Sequence, residues 1–350
     1  MSVGHIDFGA RVVVVRRGPV ALRFRMRTAL VCLALALATV TVSLLALCLG
    51  DLPLTVPEVI YAFAGQQSGI VETVVLQWRL PRVLGAAVFG AALGVSGAIF
   101  QSMTRNPLAS PDVIGLSAGA YAGGLIVIIL IGGGTLPTTI GALIGGFAAA
   151  ALVYLLAYRQ GVQGFRLIIV GIGVSAMLGA LSTYLVLRAR LEVAMTAAIW
   201  GAGSLNKVGW PQLLPPLLVI GLVFVALAFL ITPLRQLELG DDAASSLGTR
   251  LEPARLGLVV CAVALTAVVT AAAGPIAFVA LAAPQIARRL TRSAGVALAP
   301  AAFLGAFVLA ASDIVAQHVL AVPLPVGVVT VVVGGGYLIW LLIHEARRRL

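Results

Sequence analysis

Apolar residues run along most of this chain, and polar breaks divide them at intervals of a membrane thickness. Runs long enough to cross a bilayer, or nearly so, lie at about 30–49, 84–103, 113–132, 137–158, 167–187, 213–232, 256–273, 276–290, 297–316 and 324–343. A helical span needs only ~20 mostly apolar residues to cross a hydrocarbon core of about 30 Å. The pattern therefore predicts ten transmembrane helices and an all-α fold. Pro111, Pro137, Pro211 and Pro300 punctuate several of the boundaries. The run at 276–290 is short, contains Pro284 and ends in Arg288 and Arg289; the apolar stretch 70–78 is too short to cross.

Polar residues between the runs orient them. With ten spans and both termini in the cytoplasm, 18 of the 23 basic residues lie inside, among them six in the N-terminal tail, Arg105, Arg159, Arg235, Arg250, Arg255, Arg288, Arg289 and Arg292. Only Arg79, Arg82, Arg188, Arg190 and Lys207 lie outside. That bias is the positive-inside pattern, and it requires the weak eighth span to be counted. The expected layout is a cytoplasmic basic tail at 1–28 and one transmembrane domain at 29–346. Outer segments fall at 50–83 and 188–212, and a polar cytoplasmic loop at 233–255. Spans two to five and seven to ten are expected to be two copies of one four-helix unit in opposite orientation.

Composition agrees. The chain is 61% hydrophobic and 10% charged, with mean hydropathy +1.11, against roughly 25% charged residues in soluble domains. Low aromatic content and 39 glycines favour close-packed helices over an outer-membrane barrel. The net charge of +11 sits at the flanks of apolar runs, so it orients the protein and does not point to nucleic acid. The first apolar run exceeds the 7–15 residues of a cleaved signal. Cys32, Cys48 and Cys261 lie inside apolar runs without metal or redox spacing.

Small residues four apart (Gly90 and Gly94; Gly115, Gly119 and Gly123; Gly141 and Gly145) predict close helix contacts. Ser110, Pro111 and Asp112 suit the start of the third span as N-cap, first helical residue and dipole partner. Asp313 is the one carboxylate expected to be buried in a span, which is little charge for an ion-coupled carrier. Lys207 is the only lysine and is followed by Val208, so the chain has no G-x-x-x-x-G-K-[ST] phosphate loop. ATP-driven transport would need a partner that hydrolyses the ATP, with 233–255 as its expected docking surface. An intramembrane enzyme would need a cluster of His, Cys or acidic residues on facing helices, and none is evident.

At this point the residues resemble a known family, the FecCD-type permeases of ABC importers for iron-siderophores, haem and cobalamin. The likeness runs from about residue 28 to 345. Its motifs are Arg79-Leu80-Pro81-Arg82, then Gly90, Gly94, Ser96-Gly97 and Gln101, then Arg105-Asn106-Pro107-Leu108-Ala109. Trp200-Gly201-Ala202-Gly203-Ser204-Leu205, Leu239-Gly240-Asp241, Ser246-Leu247-Gly248, Gly274-Pro275-Ile276-Ala277-Phe278-Val279, Pro284, Asp313 and Leu324-Pro325-Val326-Gly327 follow in order. The form Asn106-Pro107-Leu108-Ala109-Ser110-Pro111-Asp112 is most similar to the ferric-enterobactin branch.

The resemblance implies the type II ABC importer permease fold in a bacterial inner membrane. It implies a dimer with a second permease, two ABC ATPase subunits below and an extracytoplasmic solute-binding protein above. It implies that Arg79, Arg82 and the position of Gln317 face the binding protein, and that Leu239, Gly240, Asp241, Ser246, Leu247 and Gly248 dock the ATPase. Ser175, Ser182, Thr183, Trp200 and Ser204 are the implied pathway-lining residues. No cofactor belongs to this chain; ATP and Mg sit on the ATPase, and iron travels within the cargo. Gln317, Gln285 and Ala280 depart from the Arg, His and Gly common at those positions, which puts the strength of docking in question. Haem or cobalamin import is the alternative cargo, and an ion-coupled carrier the alternative class.

Overall fold

The computed structural model describes residues 12–17, 20–66, 69–112, 115–132, 134–158, 164–295, 297–320 and 322–349. Residues 1–11 of the expected basic tail, residues 113–114 of the expected third span and Arg159 lie outside them. Ten helices match the ten expected spans. They are Met26–Cys48, Ile70–Thr104, Leu116–Ile131, Thr135–Ala157, Gly164–Arg188, Trp210–Glu238, Leu251–Ala273, Val279–Thr291, Leu298–Val319 and Val326–Arg349. Among the described residues, seven helices are long and apolar enough to cross by themselves, and shorter apolar helices occupy Leu116–Ile131 and Val326–Leu341. Three more short helices lie between spans: Val56–Phe63, Leu191–Gly201 and Asp241–Ser246.

The chain is not wholly helical. Val12–Arg17 and Val20–Arg25 pair as antiparallel strands, Val12 opposite Arg25, immediately before the first span. Runs of valine alternating into arginine are good strand formers, a signal that the tail's charge obscured.

The second and seventh spans form the centre, and most of their side chains are buried. They meet through Ser96, whose hydroxyl lies 2.8 Å from both the Ala262 carbonyl and the Thr266 hydroxyl. Glycines set how closely the other helices approach. A Cβ on Gly90 would lie 2.3 Å from the Gly305 carbonyl oxygen, one on Gly94 2.2 Å from that of Ala301, and one on Gly97 1.7 Å from that of Ala280. The second span therefore touches the eighth and ninth backbone to backbone, and Gly119 and Gly123 do the same against Gly145 and Gly141 of the fourth. Packing partners recur between the halves: second with ninth as seventh with fourth, third with fourth as eighth with ninth, third with fifth as eighth with tenth. That is the pattern of an inverted repeat.

The third and eighth spans are the short members at corresponding places in the two halves. Val279–Thr291 has 13 residues, about 20 Å of helix, so it does not cross alone. It starts at Phe278, whose φ is +69°. Its apolar residues Ala280, Ala283 and Ala287 are fully buried. The structure places this short, proline-containing span inside the core.

Three wide π-type turns occur, at Thr73–Arg79, Val127–Ile131 and Val315–Val319. All lie at the end of the bundle remote from the start of the first span, here termed the far face.

Candidate functional site

On the far face, Arg79, Arg82 and Gln317 border one recess of about 610 Å³, together with Asp51, Asp313, His318 and Asn206. The second span's wide turn brings the two arginines there. Each is already engaged within the chain. Arg79 donates from Nη1 to the Leu47 carbonyl and from Nη2 to that of Leu52, both at 2.7 Å. This ties the second span to the C-terminal end of the first. Arg82 grips Asp313 in a two-point pair, Nε to Oδ2 at 2.9 Å and Nη2 to Oδ1 at 2.7 Å. Gln317 donates to the Leu324 carbonyl at 3.1 Å. Among the described residues, Arg79 Nε and Arg82 Nη1 have no hydrogen-bond partner. Asp313, considered above as an ion-coupling group, is neutralised by Arg82.

At the opposite, near face, the second span's other end carries Arg105, whose φ of +50° turns the chain sharply. Its Nη2 donates to the Leu237 carbonyl and to Asp241 Oδ1, both at 3.0 Å. Arg255 reaches the same oxygen from the seventh span at 2.7 Å. Asp241 thus keys the short helix Asp241–Ser246 onto both central spans. The Arg255 hydrogen bond, helped by the nearby charges of Arg255 and Arg105, holds its carboxyl below the usual carboxylate range against the opposing effect of burial.

Gly240 and Gly248 bound this helix with φ of +116° and +85°. Both are left-handed values that a side chain would strain. Leu239 and Leu247 project from its two ends, 67% and 57% exposed. Ser246 donates internally to the Asp242 carbonyl. All six residues expected to dock an ATPase therefore form one protruding knob with apolar tips.

The expected pathway residues separate. Trp200 and Ser204 line a far-face cavity, whereas Ser175, Ser182 and Thr183 lie along the fifth span. Ser175 and Thr183 donate to carbonyls one turn back. Thr183 is exposed, and Ser182 is buried without a hydrogen-bond partner.

One carboxylate was missed. Asp112 is a second enclosed acid besides Asp313. It accepts from the Ser117 hydroxyl and lies beside the Phe278 backbone N–H, while its Oδ2 is enclosed without a partner. Gly115 abuts Ser175, midway along the fifth span, so the linker after Arg105 dips back into the bundle. The start of the third span and the head of the eighth both meet Asp112 there. The sequence signal was the acid after Pro111, read only as the partner of one helix dipole.

A buried helical core of membrane-length apolar helices, with charged junctions at both ends, is the architecture of a polytopic membrane protein. Residues 36–344 match the FecCD transport family, and the chain belongs to that family. It is 50% identical over 301 residues to the ferric enterobactin transport system permease protein FepG of Escherichia coli, covering 86% of this chain and 91% of that protein. It is 38% identical to the iron(3+)-hydroxamate import system permease protein FhuG of Bacillus subtilis, covering 85% and 92%. A solved inward-facing structure of a metal-chelate type ABC transporter superposes with TM-score 0.79 at 27% identity, covering 91% of this chain and 99% of that one.

Proposed function

We propose that the protein is a permease subunit of an ATP-binding-cassette importer carrying a ferric siderophore, most simply a catecholate, into the cytoplasm. The observation that carries the proposal is the second span. One buried helix bears Arg79 and Arg82 at the far face and Arg105, keyed to the Asp241 knob, at the near face. A push on the knob therefore reaches the far-face recess through a single packed element. The 50% identity to a ferric enterobactin permease supports the cargo.

In this reading the near face is cytoplasmic and the knob seats in an ATPase, with Leu239 and Leu247 as apolar anchors. The far face receives a binding protein whose acidic groups meet the recess. A second permease packs on the fifth and tenth spans, where Gly173, Gly179, Gly335 and Gly336 face open space.

The test is uptake of radiolabelled iron by a deletion strain given ferric catecholate, ferric hydroxamate, haem or cobalamin in turn. Loss of ferric catecholate uptake alone is expected. Unchanged catecholate uptake with loss of haem or cobalamin uptake would overturn the cargo assignment.

A further inference from the structure

A second far-face cavity, of about 370 Å³, lies within this one subunit between the fourth and seventh spans and the segment Leu191–Gln212. One wall is the loop that carries Ser204, Asn206 and the chain's only lysine, Lys207, with Gln212 beyond. The Gln212 carbonyl oxygen accepts the Gly209 N–H at 3.2 Å, which leaves its amide N–H groups to donate. The lining also includes Thr138 of the fourth span and Thr196 of the helix Leu191–Gly201, whose hydroxyls donate to the Gly134 and Glu192 carbonyls. Their protons are spent, so they offer acceptor lone pairs.

Trp200 supplies an apolar plate. Its ring stacks on Tyr121 at 6.0 Å and fills the space over Gly124, where a Cβ would lie 2.5 Å from the indole. The plate is therefore held rigidly. Among the described residues lining the cavity, none is Asp or Glu. Asn206 borders both this cavity and the arginine recess, so the two adjoin.

We propose that this cavity is a binding site for a small organic anion that combines an aromatic ring, a negative group and an N–H or O–H donor. Lys207 meets the charge, Trp200 the ring, and the two threonines the donor. An aryl carboxylate has this chemistry, and so does a catecholate amide arm of a larger chelate. The cavity is too small for a whole ferric chelate and would hold one arm as the cargo leaves the recess; that part rests on the function proposed above. The binding itself does not. A lipid phosphate would share the attraction to Lys207.

The test uses the permease with its partner subunits in phosphatidylcholine nanodiscs, titrated by calorimetry with salicylate and with uncharged salicylamide. Salicylate should bind at least about tenfold more tightly. Lys207→Gln should erase that preference, and Trp200→Phe should weaken both ligands. Equal affinity for the two ligands, or a preference that survives Lys207→Gln, would overturn the site. Loss of salicylate binding by competition in phosphatidylglycerol nanodiscs would assign the cavity to lipid phosphate and overturn the proposal. Failure of ATP-driven chelate uptake with salicylate binding intact would count against the transport reading alone.

Discussion

Asp313 is a carboxylate with 7% of its side chain exposed, and Arg82 makes that burial tolerable. Removing one partner of such a pair leaves a buried charge unmet and typically costs about 3–5 kcal/mol, whereas replacing both by apolar residues is far milder. Arg82→Ala should therefore lower the thermal stability of the purified protein sharply, and Arg82→Met combined with Asp313→Leu should recover most of it. Additive losses in that double-mutant cycle would show that the two groups do not act as a pair. Arg79 differs, because its partners are backbone carbonyls and no compensating second mutation exists.

Asp241 gives a pH expectation at the same scale. Its folded carboxyl titrates below the usual range because Arg255 and Arg105 hold it ionised. Its contribution is then fully present above the ordinary aspartate value of about 3.9 and fades as pH falls through the lowered value. Pull-down of the ATPase subunit should show no pH dependence from this group between about pH 5 and 8. Asp241→Asn should weaken ATPase docking across that whole range, and unchanged docking would remove Asp241 from the knob's anchoring.

The elements depend on small residues, at positions that differ sharply in tolerance. Gly90→Ala would press a methyl group into the ninth span's backbone, and overpacking of that kind costs typically about 1–3 kcal/mol. Gly173→Ala meets nothing within 4 Å and should be neutral in the isolated subunit. Thermal melts of the two variants check the contrast. Equal melting points would mean that the glycine seam does not set the helix distance.

Elements also mark the limit of what was legible. Ten apolar runs and their flanking charges predicted the ten helices with their order, because span length and hydropathy are local properties. The return of Asp112 and Gly115 into the bundle was not legible, since Asn106-Pro107-Leu108-Ala109 reads as an ordinary turn. The approach of Gly115 to Ser175 and of Asp112 to Phe278, 166 positions away in sequence, reveals it. The two arginines of the far-face recess were visible as a motif. Their internal partners, two backbone carbonyl groups and Asp313, were not, because no local pattern encodes a contact between the second and ninth spans. The knob was the most legible site, because Gly240 and Gly248 bracket it in sequence as they do in space.

At the scale of the whole molecule, the central claim is that this chain has no engine of its own and couples a partner's ATP hydrolysis to movement of an iron chelate. The third and eighth spans, short at matching places in the two halves, concentrate mid-bundle polar contacts around Asp112. The second span links both faces past that point. A carrier acting alone would need a free ionisable group in a span; the candidate Asp313 is paired with Arg82, and Asp112, with its enclosed Oδ2, is the remaining acid that such a carrier would use.

The most direct measurement is uptake of iron-labelled ferric catecholate into proteoliposomes that contain the permease, with and without the ATPase, binding protein and MgATP. Uptake that requires all the components, and that is lost while ATP hydrolysis persists when Gly240 and Asp241 are replaced, is the expected result. Uptake by the permease alone, driven by an ion gradient and abolished by Asp313→Asn, would contradict the account.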